Sequence, residues 1–121
     1  MKNKDMGMSF KNALRGWLLA FASERNMKIH SIAAILAILM GLILRIDNTR
    51  WIALLLTIGL VFVCELFNTA IEILTDMITD QYSEKAKKVK DISAGAVLLS
   101  AVNSVIIGAF VFLGPIIKLI K

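Results

Sequence analysis

The sequence holds one cysteine, one proline and one histidine in 121 residues. The lone Cys64 excludes an intrachain disulfide, and its place inside an apolar run fits a small packing residue. No G-x-x-x-x-G-K-[ST] loop occurs, which excludes a P-loop nucleotide site. No internal repeat and no low-complexity linker divides the chain, and its length suits one domain. No small-residue cleavage site follows the first apolar run, so we expect no removable signal peptide and insertion directed by the first spanning helix. Acidic residues are few, 9 against 14 Lys and Arg, for a net charge of +5. The basic residues flank apolar runs, a placement that an anionic membrane surface explains better than nucleic acid does. We therefore expect no nucleic-acid partner.

What the chain has in abundance is apolar surface. Hydrophobic residues make up 58% and the mean hydropathy is +0.76. A soluble domain of this length has too little interior to hide them, so a bilayer is the expected solvent.

The expected architecture is all-α: an amphipathic surface helix over about 9–27, then three membrane-spanning helices over about 29–46, 51–79 and 92–117. Ser9 is the expected N-cap of the first, followed by Phe10, Ala13, Leu14, Trp17, Leu18 and Phe21 at spacings of three and four. That stripe fits a helix lying in the membrane interface or one packed on its own bundle. Ile29 to Leu44 reaches roughly 24 Å, which Arg45 can extend by snorkelling. Asp47-Asn48-Thr49 reads as a turn, and Gln81 to Asp91 as a charged loop. Pro115 is expected to end the last span, and Gly95, Ala96, Gly108 and Ala109 to let backbones approach closely. Ten basic residues lie in the N-terminal region through Lys28 or in the Lys85–Lys90 segment, against four at the other ends. The positive-inside rule then puts the N-terminus and the Gln81–Asp91 segment in the cytoplasm and the C-terminus outside.

Candidate chemistry lies in Glu65-Leu66-Phe67-Asn68-Thr69-Ala70-Ile71-Glu72-Ile73-Leu74-Thr75-Asp76. Glu65, Asn68, Glu72 and Asp76 recur at helical spacing and share one face. A carboxylate at the bilayer centre costs roughly 2.5–3.5 kcal/mol, so acids in a line demand a reason. A solvated helix face explains Asp76 and Asp80, but Glu65 falls about 21 Å from Trp51, short of the far boundary of a ~30 Å core. Glu72 lies about 10 Å nearer the cytoplasm, level with Glu24. A lipid hydroxyl at depth and a water-soluble donor above would meet along such a stripe. Two carboxylates suit Mg²⁺ bound to phosphates, and Lys90 with Asp91 closes the same rim. His30 reads as a headgroup-level polar residue rather than a metal ligand. A small ion or proton transporter is the alternative from another class, but it would place its acid nearer the midplane.

The run Glu65 to Asp76 matches E-x-x-N-[ST]-A-[IL]-E-x-x-x-D throughout, and here the sequence resembles the prokaryotic diacylglycerol kinase family. The resemblance extends to Glu24-Arg25-Asn26 and to Lys90-Asp91, and covers essentially the whole chain. It implies a homotrimer with sites shared between neighbouring subunits, acting on a lipid alcohol with ATP and Mg²⁺ in the bacterial cytoplasmic membrane. By position, Glu65 resembles the general base and Asn68 a site-ordering residue. Glu24 and Glu72 resemble the metal and ATP ligands. Lys90 and Asp91 resemble nucleotide contacts, and Gln81, Tyr82 and Ser83 the lining of the nucleotide pocket. The Glu24–His30 segment is more similar to the undecaprenol kinase branch than to the diacylglycerol kinase branch, which leaves diacylglycerol as the alternative substrate.

Overall fold

A computed structural model of the chain describes residues 5–121. Lys2 and Lys4, counted among the basic residues of the N-terminal segment, lie outside the described residues. Four helices follow one another: α1 (Met6–Ser23), α2 (Arg25–Leu44), α3 (Asn48–Ile78) and α4 (Glu84–Ile120). The last three are each long and apolar enough to cross a membrane. Their large side chains point mostly outward: Ile32, Leu36 and Ile43 on α2, Leu56 and Phe67 on α3, Leu99 and Phe110 on α4. Apolar surface on this scale, facing away from the bundle, is what a lipid solvent accepts and water does not. The chain is a membrane protein.

α3 and α4 form the principal antiparallel pair, with Asp76 level with Lys90 at one end and Leu54 packed with Val111 at the other. The apolar core gathers at that second end, where Ile46, Leu54 and Val111 bury against Trp51, Ile107 and Phe112. Elsewhere Ala20, Met27 and Val61 are buried beside several polar residues, most of them small. Thr57, Thr75 and Ser100 are buried and spend their hydroxyls on carbonyls of their own helices, at 2.7–2.8 Å. They thereby pack closely without leaving a donor unpaired in lipid. Gly95 and Gly108 do not serve this purpose within the chain, since a Cβ at either would meet nothing within 4 Å. The close approach comes at Gly41, where a Cβ would lie 2.9 Å from the Trp51 ring.

The helix ends differ from the expected ones in four places. Asp5, not Ser9, caps α1, its carboxylate accepting from the Met8 N–H at 2.7 Å. A carboxylate caps as well as a hydroxyl and meets the positive end of the helix dipole, so the helix starts earlier. Asp47 likewise caps α3, accepting from the Arg50 N–H at 2.9 Å, which makes Asn48 and Thr49 helical. The Arg50 N–H and guanidinium hold its carboxyl below the usual carboxylate range. Ser83 caps α4 through the Ala86 N–H, so the charged loop shrinks to five residues and Glu84–Asp91 becomes the first turns of α4. Pro115 sits inside α4, which runs on to Ile120. Proline there forfeits one backbone hydrogen bond of the helix, while Gly114 before it presents no Cβ to the ring.

α2 ends in a Schellman turn. Ile46 N–H donates to Gly41 C=O at 3.2 Å and Arg45 N–H to Leu42 C=O at 3.3 Å, with Arg45 in the left-handed region at φ 54°. The three-residue connection that follows forces α2 and α3 antiparallel.

Candidate active site

α1 and α2 are separated by a single extended residue, Glu24 (φ −108°, ψ 122°), rather than joined in a helix to residue 27. Its N–H closes α1 on the Ala20 carbonyl at 3.0 Å, while its half-buried side chain stands at the start of α2. α1 packs back on α2 and α3 through Ala20, and leaves Phe10, Leu18 and Leu19 exposed. The apolar stripe of α1 is thus only partly used by the bundle.

On α3 the acidic stripe is graded by depth. Glu65 is completely buried, Asn68 is 7% exposed, Glu72 is half-buried and Asp76 is exposed. Asn68 joins the two glutamates: its Nδ2 donates to Glu65 Oε2 at 3.3 Å and to Glu72 Oε1 at 3.4 Å. The Asn68 Oδ1 and Thr69 hydroxyl are buried without a partner. Glu24, Glu65, Asp76 and Lys90 all lie within electrostatic reach of Glu72. The rim residue Asp76 is bound by Lys90 from α4 at 2.7 Å, so Lys90 joins the stripe by a direct ion pair.

The sequence-selected residues therefore fall into two adjoining groups. Glu24, Glu65, Asn68 and Glu72 form one, between α2 and α3. Gln81, Tyr82, Ser83, Lys90 and Asp91 form the other, lining an open pocket of about 400 Å³ with Asp76 and Lys87. Lys90, paired with Asp76 and within reach of Glu72, connects them. Asp91 is held by Lys87 at 2.7 Å, one turn back on α4. Ser83 uses its hydroxyl as the cap of α4, while Tyr82 is 79% exposed at the pocket edge.

Could these residues hold a divalent cation? Glu24 and Glu72 offer hard carboxylate oxygens that repel one another until a cation sits between them, and an Mg²⁺ bound with phosphates needs only one or two such ligands. The donor set fits. No group of three or more potential ligands comes together among the described residues.

One contact was missed by sequence reasoning. His30, in the second turn of α2, places its Nε2 3.4 Å from Glu65 Oε1. Counting along the helices exposes it: Glu24 to His30 and Glu72 to Glu65 are descents of about 9 and 10 Å on antiparallel helices, from one level to another. Beside His30 an apolar cleft of about 220 Å³ runs between α2, α3 and α4, from His30 and Phe62 toward Leu54 and Phe112.

Residues 11–112 match the family described as prokaryotic diacylglycerol kinase. The class of protein is thereby a membrane lipid kinase. The chain belongs to the prokaryotic diacylglycerol kinase family. It is 42% identical over 105 residues to the undecaprenol kinase of Bacillus subtilis (strain 168), a match covering 87% of this chain and 85% of that protein. It is 40% identical over 113 residues to a diacylglycerol kinase of Synechocystis sp., covering 93% of this chain and 65% of that protein. Identity to the diacylglycerol kinase of Escherichia coli (strain K12) is 29% over 103 residues, covering 85% and 81%.

Proposed function

We propose that the protein phosphorylates the hydroxyl of undecaprenol at the cytoplasmic boundary of the bacterial inner membrane, using ATP with Mg²⁺. The observation that carries this reading is the fully buried Glu65 carboxylate, tied through Asn68 to Glu72 at the polar end of the bundle. Such a carboxylate is a base at lipid depth, connected to charge at phosphate depth.

In the reaction the lipid oxygen attacks the γ-phosphorus of ATP, its proton passes to the Glu65 carboxylate, the bond from the γ-phosphorus to the bridging oxygen breaks, and ADP leaves. Phosphoryl transfer asks the protein chiefly for position and charge neutralisation. Asn68 fixes the Glu65 plane by donating to one oxygen. Glu24 and Glu72 would hold the cation, whose charge would offset that of the phosphates. Gln81, Tyr82 and Ser83 line the space for the nucleotide, and Lys90 and Asp91 contact it from α4. The working unit is a homotrimer with sites shared between subunits, its N-terminus in the cytoplasm and its C-terminus on the outer side.

The choice of undecaprenol rests on the Glu24–His30 segment and on the Bacillus relative. Diacylglycerol is the second reading, favoured by the nearly equal identity to the Synechocystis protein. Purified protein with labelled ATP and both lipids in one mixed-micelle assay decides between them. A higher kcat/KM for undecaprenol is the expected outcome, a preference for diacylglycerol reverses the substrate assignment, and transfer to neither lipid refutes the reading.

A further inference from the structure

Glu65 is sealed from solvent, and its two oxygens are treated unequally. Oε2 accepts from Asn68 at 3.3 Å, whereas Oε1 has no hydrogen-bond partner. A buried carboxylate oxygen without a donor is costly, because burial has removed the water that would otherwise bond it. The polar atom facing it is His30 Nε2, 3.4 Å away, which is itself buried and without a hydrogen-bond partner. The two orphaned atoms come from different helices, α2 and α3, and a small side-chain adjustment makes them one hydrogen bond.

The other charged groups nearby are committed elsewhere. On α3, Glu72 shares Asn68, and Asp76 is paired with Lys90 of α4. Glu24 stands at the junction before α2, and the α1 cations Lys11 and Arg15 are exposed. His30 also lines the apolar cleft. None of these supplies a donor to Glu65 Oε1.

We infer that His30 is a positioning residue for Glu65, donating its Nε2–H to Oε1 and so fixing, with Asn68, the direction in which the carboxylate faces the lipid hydroxyl. The inference rests on Glu65 as the base of the proposed reaction. It assigns His30 no contact with nucleotide, cation or phosphate. With both oxygens held from opposite sides, the carboxylate cannot turn about its terminal bond. With Asn68 alone it swings about one anchored oxygen, and the reactive lone pair is aimed correctly for less of the time.

The test exploits which ring nitrogen makes the contact. The amide nitrogen of glutamine stands where Nε2 stands, whereas that of asparagine is shorter and corresponds to Nδ1. His30→Ala should lower kcat about tenfold to a hundredfold, the effect of one hydrogen bond to a charged group, with KM for ATP, lipid and Mg²⁺ changed less than about twofold. His30→Gln should return kcat to within about threefold of the parent, and His30→Asn should not. Gln and Asn are alike in polarity and close in size, so their contrast decides the matter even if the Ala variant does not fold. Equal rescue by Asn, a parental kcat in His30→Ala or His30→Asn, or an effect confined to Mg²⁺ dependence would each overturn the inference, the last by making His30 a cation ligand. Glu65→Gln, measured alongside, separates the two levels. If it is active the base assignment itself fails, and if it is inactive while His30→Ala is fully active only the His30 inference fails.

Discussion

Replacing Glu65 by Gln removes the proposed base while leaving its shape. The side chain is completely buried, and its Oε2 receives the Asn68 amide at 3.3 Å. A glutamine amide oxygen takes over that acceptance, and the amide NH₂ then faces His30 Nε2 across the 3.4 Å gap, where the other ring tautomer accepts. Volume, hydrogen bonding to Asn68 and burial are conserved, and one buried charge is removed. The fold should therefore be as stable as the parent or more so, since a neutral amide costs less to bury than a carboxylate. Transfer should fall about 10²–10⁴-fold, the contribution of a positioned general base, equivalent to about 2.7–5.4 kcal/mol on the barrier. Nucleotide affinity should change little, because base removal acts in the transition state alone. Glu72→Gln should behave oppositely: half-buried and within reach of Glu24, it should weaken ATP and Mg²⁺ binding in the ground state. Single-turnover transfer, equilibrium nucleotide binding and thermal unfolding in one detergent, on both variants, separate these outcomes. A Glu65→Gln protein retaining more than about a tenth of the parental rate refutes the base assignment.

Three further outcomes are expected. Chelation of divalent cations should abolish activity, and Glu24→Gln should raise the Mg²⁺ concentration needed to restore it; full activity in excess chelator would contradict the cation site. Gly41→Val forces a side chain into the space held by the Trp51 ring and Ile46, and should cost about 1–3 kcal/mol by thermal unfolding, whereas Gly16→Ala, where a Cβ meets nothing within 4 Å, should gain a few tenths to about 1 kcal/mol. Asp47→Ala should lower the melting temperature at neutral pH but not in strong acid. The folded-state pKa of Asp47 lies below its ordinary 3.8, so its stabilisation is full above that value and disappears as pH falls through the lower folded one. A melting difference that persists at the acid end would refute that linkage.

The three spanning helices were legible because a bilayer imposes a local rule, about twenty apolar residues per crossing, and each run meets or approaches it without help from the others. The Glu65-Asn68-Glu72 stripe was legible for a similar reason. All its members lie on one helix, and helical periodicity alone puts them on one face. Helix ends were less so. Asp5 and Asp47 compete with neighbouring Ser9, Asn48 and Thr49 for the same capping role, and only the backbone path shows which side chain meets a free N–H. Pro115 misled because proline weakens a helix without always ending it: it forfeits one backbone hydrogen bond, and the Gly114 before it presents no Cβ to the ring.

Composition and periodicity were enough to fix the solvent, the number of crossings and the acidic line on α3, since each follows from residues near one another in the chain. Packing decided everything that joins separate helices. The break at Glu24 turns α1 back on the bundle, and the short Schellman connection runs α2 antiparallel to α3 and sets their depth against each other, so His30 arrives at Glu65. The antiparallel register of α3 and α4 brings Lys90 to Asp76, and gathers Gln81, Tyr82 and Ser83 with Lys90 and Asp91 around one pocket. In lipid, helices gain nothing from merely hiding apolar surface against one another. Their register is set by small-residue fit and by pairs of polar atoms across the seam, and those partners lie too far apart in the chain for any local pattern to announce them.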